Sequence, residues 1–141
     1  MSQIKVLVTG VFDLLHAEHV NFLRAAKAIG DILIVGIESD VRVKQLKGEH
    51  RPVWNQDRRV RELKKLKFVD QVFVLPTKFD SPADHEQLIG TIKPDILAVS
   101  SHSPHLEAKQ RILAKFGGRV EVVHQHNSEV STTYLINKEQ S

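Results

Sequence analysis

An α/β fold, a doubly wound five-stranded parallel sheet with helices on both faces, is what this sequence predicts. Two observations carry it. Five short aliphatic runs recur along the 141 residues, and between them the apolar spacing switches to a helical period. Ile4, Val6, Leu7 and Val8 form the first run, continuous enough for a strand covered on both faces, and Gly10 ends it. From Leu15 the apolar residues Leu15, Phe22, Ala26 and Ile29 follow helical spacing. Ile32–Ile37 reads as the second strand. A short helical turn over Asp40 to Leu46 then leads into a polar loop. Asn55 or Asp57 opens a helix whose buried stripe is Val60, Leu63 and Leu66. Val72 to Leu75 is a third strand, ended by Pro76. Ser81-Pro82 has the cap-then-proline order of a helix start, with Leu88, Ile89 and Ile92 inside. Ile96 to Val99 is the fourth strand, Ser103-Pro104 opens a helix that stops at Gly117-Gly118, and Val120 to Val123 is the fifth. A last helix is expected near Ser131, carrying Tyr134, Leu135 and Ile136.

The junction at residues 4–23 organises the rest. A strand passes through a turn into a helix whose first turn holds His16 and His19, three apart and so on one face. Free N–H groups and the positive dipole end at a helix N-terminus attract phosphate, and two imidazoles add donors there. Two other readings stand beside this one. A histidine at a helix start can be a cap or a packing residue, and His-x-x-His spacing can bind metal. With no cysteine and no acidic third ligand placed by the sequence, metal is not expected. In a doubly wound sheet ligands sit at the carboxyl ends of the strands, where strand order reverses. That rule gathers the Thr9–His19 turn, the Ser100–Pro104 loop and the residues before Ser131.

Four stretches carry a family likeness. Gly10-Val11-Phe12-Asp13-Leu14-Leu15-His16-Ala17-Glu18-His19 resembles the G-x-F-D-x-x-H-x-G-H signature of the cytidylyltransferase-like nucleotidyltransferases, with Glu18 at its second glycine. Lys47-Gly48-Glu49-His50-Arg51-Pro52 with Arg58 is similar to the K-G-x-x-R-P…R segment. Lys93-Pro94-Asp95 is similar to K-P-D, and Ser131-Thr132-Thr133 to the late S-T-T motif. Within the family the pattern is closest to the group containing ADP-heptose-forming adenylyltransferases and glycerol-3-phosphate cytidylyltransferases, with archaeal FAD synthetases near. The resemblance covers almost the whole chain and implies one Rossmann-like nucleotidyltransferase domain over residues 1–141.

It also implies a reaction: transfer of AMP, or of CMP, from a nucleoside triphosphate to a small phosphorylated acceptor such as a sugar 1-phosphate, with release of pyrophosphate. By the resemblance His16 and His19 hold the α and β phosphates, and Lys47, with Arg51, neutralises the triphosphate. Thr9, Val11 and Phe12 line the nucleotide pocket, while Ser131, Thr132 and Thr133 cradle phosphate. Arg51 and Arg58 are the substrate-binding candidates; Arg58 pairing with Asp57 or Glu62 is the equal alternative. Asp13 either orients a histidine or caps the first helix. Mg²⁺ is expected to arrive with the nucleotide, and a homodimer is implied. Glu18 for glycine, and Ser100-Ser101-His102 where the adenylyltransferase pattern has Gly-Gly-Asp, keep an alternative open: a nucleotide-binding regulator or scaffold with little transferase activity. A dinucleotide-binding module is disfavoured, since no G-x-G-x-x-G follows the first strand.

Composition sets the outer bounds. Hydrophobic residues are 41% and charged residues 26%, as in water-soluble globular domains, and cysteine is absent, which fits a reducing compartment. The opening residues lack a basic stretch followed by a long apolar one, so a cytoplasmic location is expected, with no membrane partner. The net charge of +3 is uneven, with ten of the 20 Lys and Arg between Arg42 and Lys67. Lys64, Lys65 and Lys67 read as the solvated side of their helix, and aromatic residues at 6% give nucleic acid no further support.

Overall fold

The computed structural model describes residues 3–124. Its sheet runs β3-β2-β1-β4-β5 with every neighbouring pair parallel. The strands are β1 (Lys5–Gly10), β2 (Ile32–Ile37), β3 (Gln71–Val74), β4 (Ile96–Ser100) and β5 (Arg119–His124). Between them lie α1 (Ala17–Ala28), α2 (Asp40–Lys47), α3 (Gln56–Lys64), α4 (Pro82–Ile92) and α5 (Leu106–Lys115). The chain winds outward from β1 to β3, then returns to place β4 on the other side of β1, so strand order reverses between β1 and β4.

Alternation along the strands feeds two cores. Val6 and Val8 join Leu23, Ala26 and Leu63 on the face of α1 and α3. Leu7, Ile34 and Leu97 point the other way and meet Ile89, Ile112 and Leu113 from α4 and α5. Val6, Leu7 and Val8 are all fully buried, which is why the first aliphatic run has no polar interruption.

Side-chain caps set three of the helix starts. Ser39, Asn55 and Ser81 each accept the N–H three residues on. Ser81 adds Pro82 in the first turn and a reciprocal bond from its own N–H to Asp84. Two elements differ from expectation. α2 runs on to Lys47, one residue past the expected turn, and Gly48 closes it at φ 103°, a left-handed value suited to glycine. α5 begins at Leu106 rather than at Ser103-Pro104, with His105 at the cap position in a left-handed conformation (φ 58°) and the Ser103 hydroxyl accepting from Lys109 Nζ (2.8 Å). The helix expected near Ser131 lies outside the described residues.

The Lys93-Pro94-Asp95 stretch has a structural task at the amino edge of the sheet. Lys93 ends α4 in a left-handed conformation, and Asp95 accepts the Lys5 N–H through Oδ2 at 2.8 Å while its own N–H donates to Lys5 O. This motif therefore anchors the amino end of β1, the end away from the histidines. Among the described residues no helix is long and apolar enough to cross a membrane.

Candidate active site

Gly10 lets the chain leave β1 at a sharp angle. A Cβ there would meet Phe12 Cε2 at 2.9 Å, so the ring can fold back over the turn only above glycine. Phe12 and Leu14 both adopt positive φ, 53° and 51°, and both side chains are buried. Strained backbone of this kind persists only where its surroundings over-determine it. Two buried groups do so here.

The first is Asp13, fully buried, whose Oδ2 accepts from Val53 N (2.7 Å) and Oδ1 from Trp54 N (2.8 Å). Arg51 Nε lies 3.8 Å from the same carboxylate. The second is Arg59, also fully buried: its Nη1 donates to Val11 O (2.9 Å) and Glu38 O (2.8 Å), its Nε to Trp54 O (3.1 Å), and its Nη2 to Asp40 Oδ1 (2.8 Å). Together they tie the turn, the end of β2 and the 51–54 loop into one unit. Asp13 thus does not cap α1; that position belongs to His16. Arg59 had no sequence signal of its own, since an arginine amid ten basic residues reads as solvated surface. Its place on the inner side of α3, four residues before the buried Leu63, is the one clue the helical period offered.

His16 and His19 interlock at the start of α1. The Glu18 N–H donates to His16 Nδ1 and the His16 N–H to His19 Nδ1, each at 3.2 Å, forming a reciprocal cap built from two imidazoles. The rings stack at 3.8 Å between centroids, and Phe12 meets His19 edge-on at 5.5 Å. Because each Nδ1 accepts from the backbone, each ring carries its donor proton on Nε2. Two oriented N–H donors thus sit at the positive end of the helix dipole, beside the reversal between β1 and β4. Glu18 lies in the same first turn, half-buried.

Lys47 does not lie in a loop as the polar stretch suggested; it ends α2. Burial lowers its ammonium pKa, the nearby Arg51 guanidinium lowers it further, and Asp13 opposes both. Arg51 lies 3.8 Å from the Asp13 carboxylate that two backbone N–H groups already occupy, and the exposed Lys47 at the end of α2 adds further positive charge on this side. Arg58 is exposed and stacks its guanidinium over Trp54 at 4.3 Å. So Thr9, Val11, Phe12, His16 and His19 come from one strand–turn–helix junction, Asp13 ties Arg51 and the 53–54 backbone to it, Arg58 stacks on Trp54 of that loop, and Lys47 ends α2 within electrostatic range of Arg51 and Asp13. Ser131, Thr132 and Thr133 lie outside the described residues. Among those described, no group of three or more His, Asp or Glu could hold a metal ion.

The profile of the cytidylyltransferase-like family matches residues 7–138. The bifunctional protein HldE of Campylobacter fetus subsp. fetus is 41% identical over 133 residues, covering 94% of this chain and 27% of that protein. The bifunctional protein HldE of Pelobacter propionicus is 37% identical over 134 residues, 94% of this chain and 26% of that protein. The chain thus spans about a quarter of the length of the curated relatives it matches. A lipopolysaccharide core biosynthesis protein from Thermoplasma volcanium superimposes with a TM-score of 0.70 at 28% identity, covering 89% of this chain and 98% of that one. Pantothenate synthetase from Thermus thermophilus shares the fold at 13% identity, with a TM-score of 0.62 over 88% of this chain and 57% of that one.

Proposed function

The chain belongs to the cytidylyltransferase-like family of nucleotidyltransferases, and from that premise we propose that it transfers AMP from ATP to a sugar 1-phosphate. The interlocked pair His16 and His19 on the N-terminus of α1 carries this reading. A phosphate oxygen of the acceptor attacks the α-phosphorus. A new P–O bond forms as the bond to the β-phosphate breaks, and pyrophosphate leaves with the electron pair. The nucleophile is already ionised, so the chain must position two mutually repelling anions and absorb the charge that builds on the α and β phosphates.

The two Nε2–H donors and the helix dipole suit that charge, and Lys47 with Arg51 suits the triphosphate tail. Thr9, Val11 and Phe12 border the nucleotide, Ser131, Thr132 and Thr133 complete the phosphate contacts, and Arg58 binds at the outer edge. The donor set fits Mg²⁺ carried by the nucleotide, because the buried carboxylate of Asp13 is already engaged by two backbone N–H groups. Bound to the triphosphate, the ion neutralises its oxygens and keeps most of its waters. Homodimeric assembly in the cytoplasm completes the proposal.

The experiment is a pyrophosphate-release screen of ATP and CTP against sugar 1-phosphates, glycerol 3-phosphate and FMN. ATP with a sugar 1-phosphate should give release. Nucleotide binding without release from any pair would instead make the chain a nucleotide-binding regulator.

A further inference from the structure

Glu38 follows β2 at the carboxyl ends of the strands, on the side of β1 away from the strand reversal. Its backbone is locked to the histidine turn. The N–H donates to Gly10 O at 2.9 Å, and the carbonyl accepts at 2.8 Å from Arg59 Nη1, the nitrogen that also holds Val11 O. The side chain is less well served. Its Oε2 is buried with no hydrogen bond among the described residues, while Arg59 gives its Nη2 to Asp40 instead.

Four residues on, in the first turn of α2 behind the Ser39 cap, stands the half-buried Arg42, whose Nε is likewise buried with no hydrogen bond among the described residues. The two charges feel each other, since Arg42 opposes the rise that burial imposes on the Glu38 pKa, yet no ion pair joins them among the described residues. Buried polar atoms without partners cost stability, and at the ligand edge of a sheet they mark a place for something the protein binds. The charges narrow what that is. A carboxylate repels phosphate but accepts a hydroxyl proton, and a guanidinium N–H donates to a hydroxyl oxygen. Side by side they match neighbouring hydroxyls on a sugar.

We infer that Glu38 and Arg42 bind hydroxyl groups of the acceptor's sugar and so select a polyhydroxylated acceptor. This rests on the nucleotidyl-transfer reading. The sugar then lies over the end of β2, with its phosphate turned toward His16 and His19 after the neighbouring β1 and away from the Glu38 carboxylate. The nucleotide's ribose offers the same hydroxyl chemistry, but the proposed seat of the nucleotide phosphates, at the start of α1 beside the reversal, leaves the β2 side to the acceptor.

The test is calorimetric titration of the parent, Glu38→Met and Glu38→Gln with mannose 1-phosphate, its 2-deoxy, 3-deoxy and 4-deoxy counterparts, and inorganic phosphate. The parent should bind mannose 1-phosphate, and removing at least one hydroxyl should weaken binding about tenfold or more, the loss expected for one hydrogen bond to a charged group. Glu38→Met should lose the same factor with mannose 1-phosphate, no longer distinguish it from that deoxy counterpart, and bind inorganic phosphate no more weakly than the parent does. Glu38→Gln keeps one acceptor oxygen and should fall between. Neither variant should melt below the parent. In turnover the acceptor KM should rise in Glu38→Met, while the KM for ATP and the preference for ATP over 2′-deoxy-ATP stay as in the parent. No binding of mannose 1-phosphate by the parent, equal affinity for it in Glu38→Met, or indifference of the parent to all three deoxy counterparts would overturn the assignment. So would a changed preference between ATP and 2′-deoxy-ATP, which would put the pair on the ribose. Hydroxyl-selective sugar binding without pyrophosphate release would sink the transfer reading and leave this assignment standing; release with the acceptor KM unchanged in Glu38→Met would do the reverse.

Discussion

His16 and His19 hold the helix start and, by our proposal, the transferred charge, and these two tasks separate by substitution. Alanine at either position removes one side of the reciprocal cap. Loss of a side-chain cap costs typically about 1 kcal/mol, and the 3.2 Å distances sit at the long end of such bonds, so nothing larger is expected. In a domain of this length that lowers the melting temperature by roughly 3 °C. Asparagine at 16 and glutamine at 19 behave differently. Asn is among the best N-cap residues and Gln is the natural third-position partner in a capping box, so His16→Asn and His19→Gln keep both backbone bonds. Neither reproduces an imidazole Nε2–H in its place. These variants should melt within about 1 °C of the parent while losing about a hundredfold in turnover, as when one positioned donor is removed from a charge-stabilising site. Calorimetry and pyrophosphate release on the four single variants give both numbers. Turnover within about twofold of the parent in His16→Asn and His19→Gln would confine the histidines to capping.

Arg59→Met leaves three carbonyls and the Asp40 carboxylate without their donor, and breaking a buried charge network costs about 3–5 kcal/mol. A fall in melting temperature of roughly 10–15 °C is expected, and a change under about 3 °C would show that the turn is held by other contacts. Lys47→Ala should weaken nucleotide binding and flatten its dependence on salt, read by calorimetry across a salt series, because by our proposal one cation fewer then faces the triphosphate. Glu38→Gln should stabilise the protein at neutral pH. Burial raises the Glu38 pKa above its unfolded value against the pull of Arg42 and Arg59, and Oε2 is buried with no hydrogen bond among the described residues. The stability gained by protonation is thus full below the ordinary glutamate pKa and lost as pH rises through the raised one. The melting temperatures of parent and variant should converge in acid and part toward neutrality; a constant gap would refute the raised pKa.

The order of elements was legible in the residues because each pattern reports a local cause. Val6, Leu7 and Val8 are aliphatic because both faces of β1 are covered, and Ser81-Pro82 announces a helix because cap and proline act within one turn. The His-x-x-His spacing likewise put both rings on one helix face, and they meet there. What the local pattern left open was where long side chains go. Asp13 read as a cap or as a partner for a histidine, yet its carboxylate reaches a loop 40 residues on, from between two residues of positive φ. Ser103-Pro104 read as a helix start, yet α5 opens at Leu106 behind a left-handed His105. Arg59 shares its basic stretch with the exposed Arg58 and Arg61, the helical period alone sets it apart, and only the tertiary placement of α3 turns it into the clamp on Val11, 48 residues away. Lys93-Pro94-Asp95 matched a family pattern as well as the histidines did, and the parallel register sent it to the opposite, amino ends of the strands, where Asp95 holds Lys5. Periodicity and caps are settled within a few residues, so sequence alone determines them. The meeting of Asp13 with Arg51, or of Arg59 with Val11 and Asp40, depends on which helix covers which face, and only the folded sheet decides that.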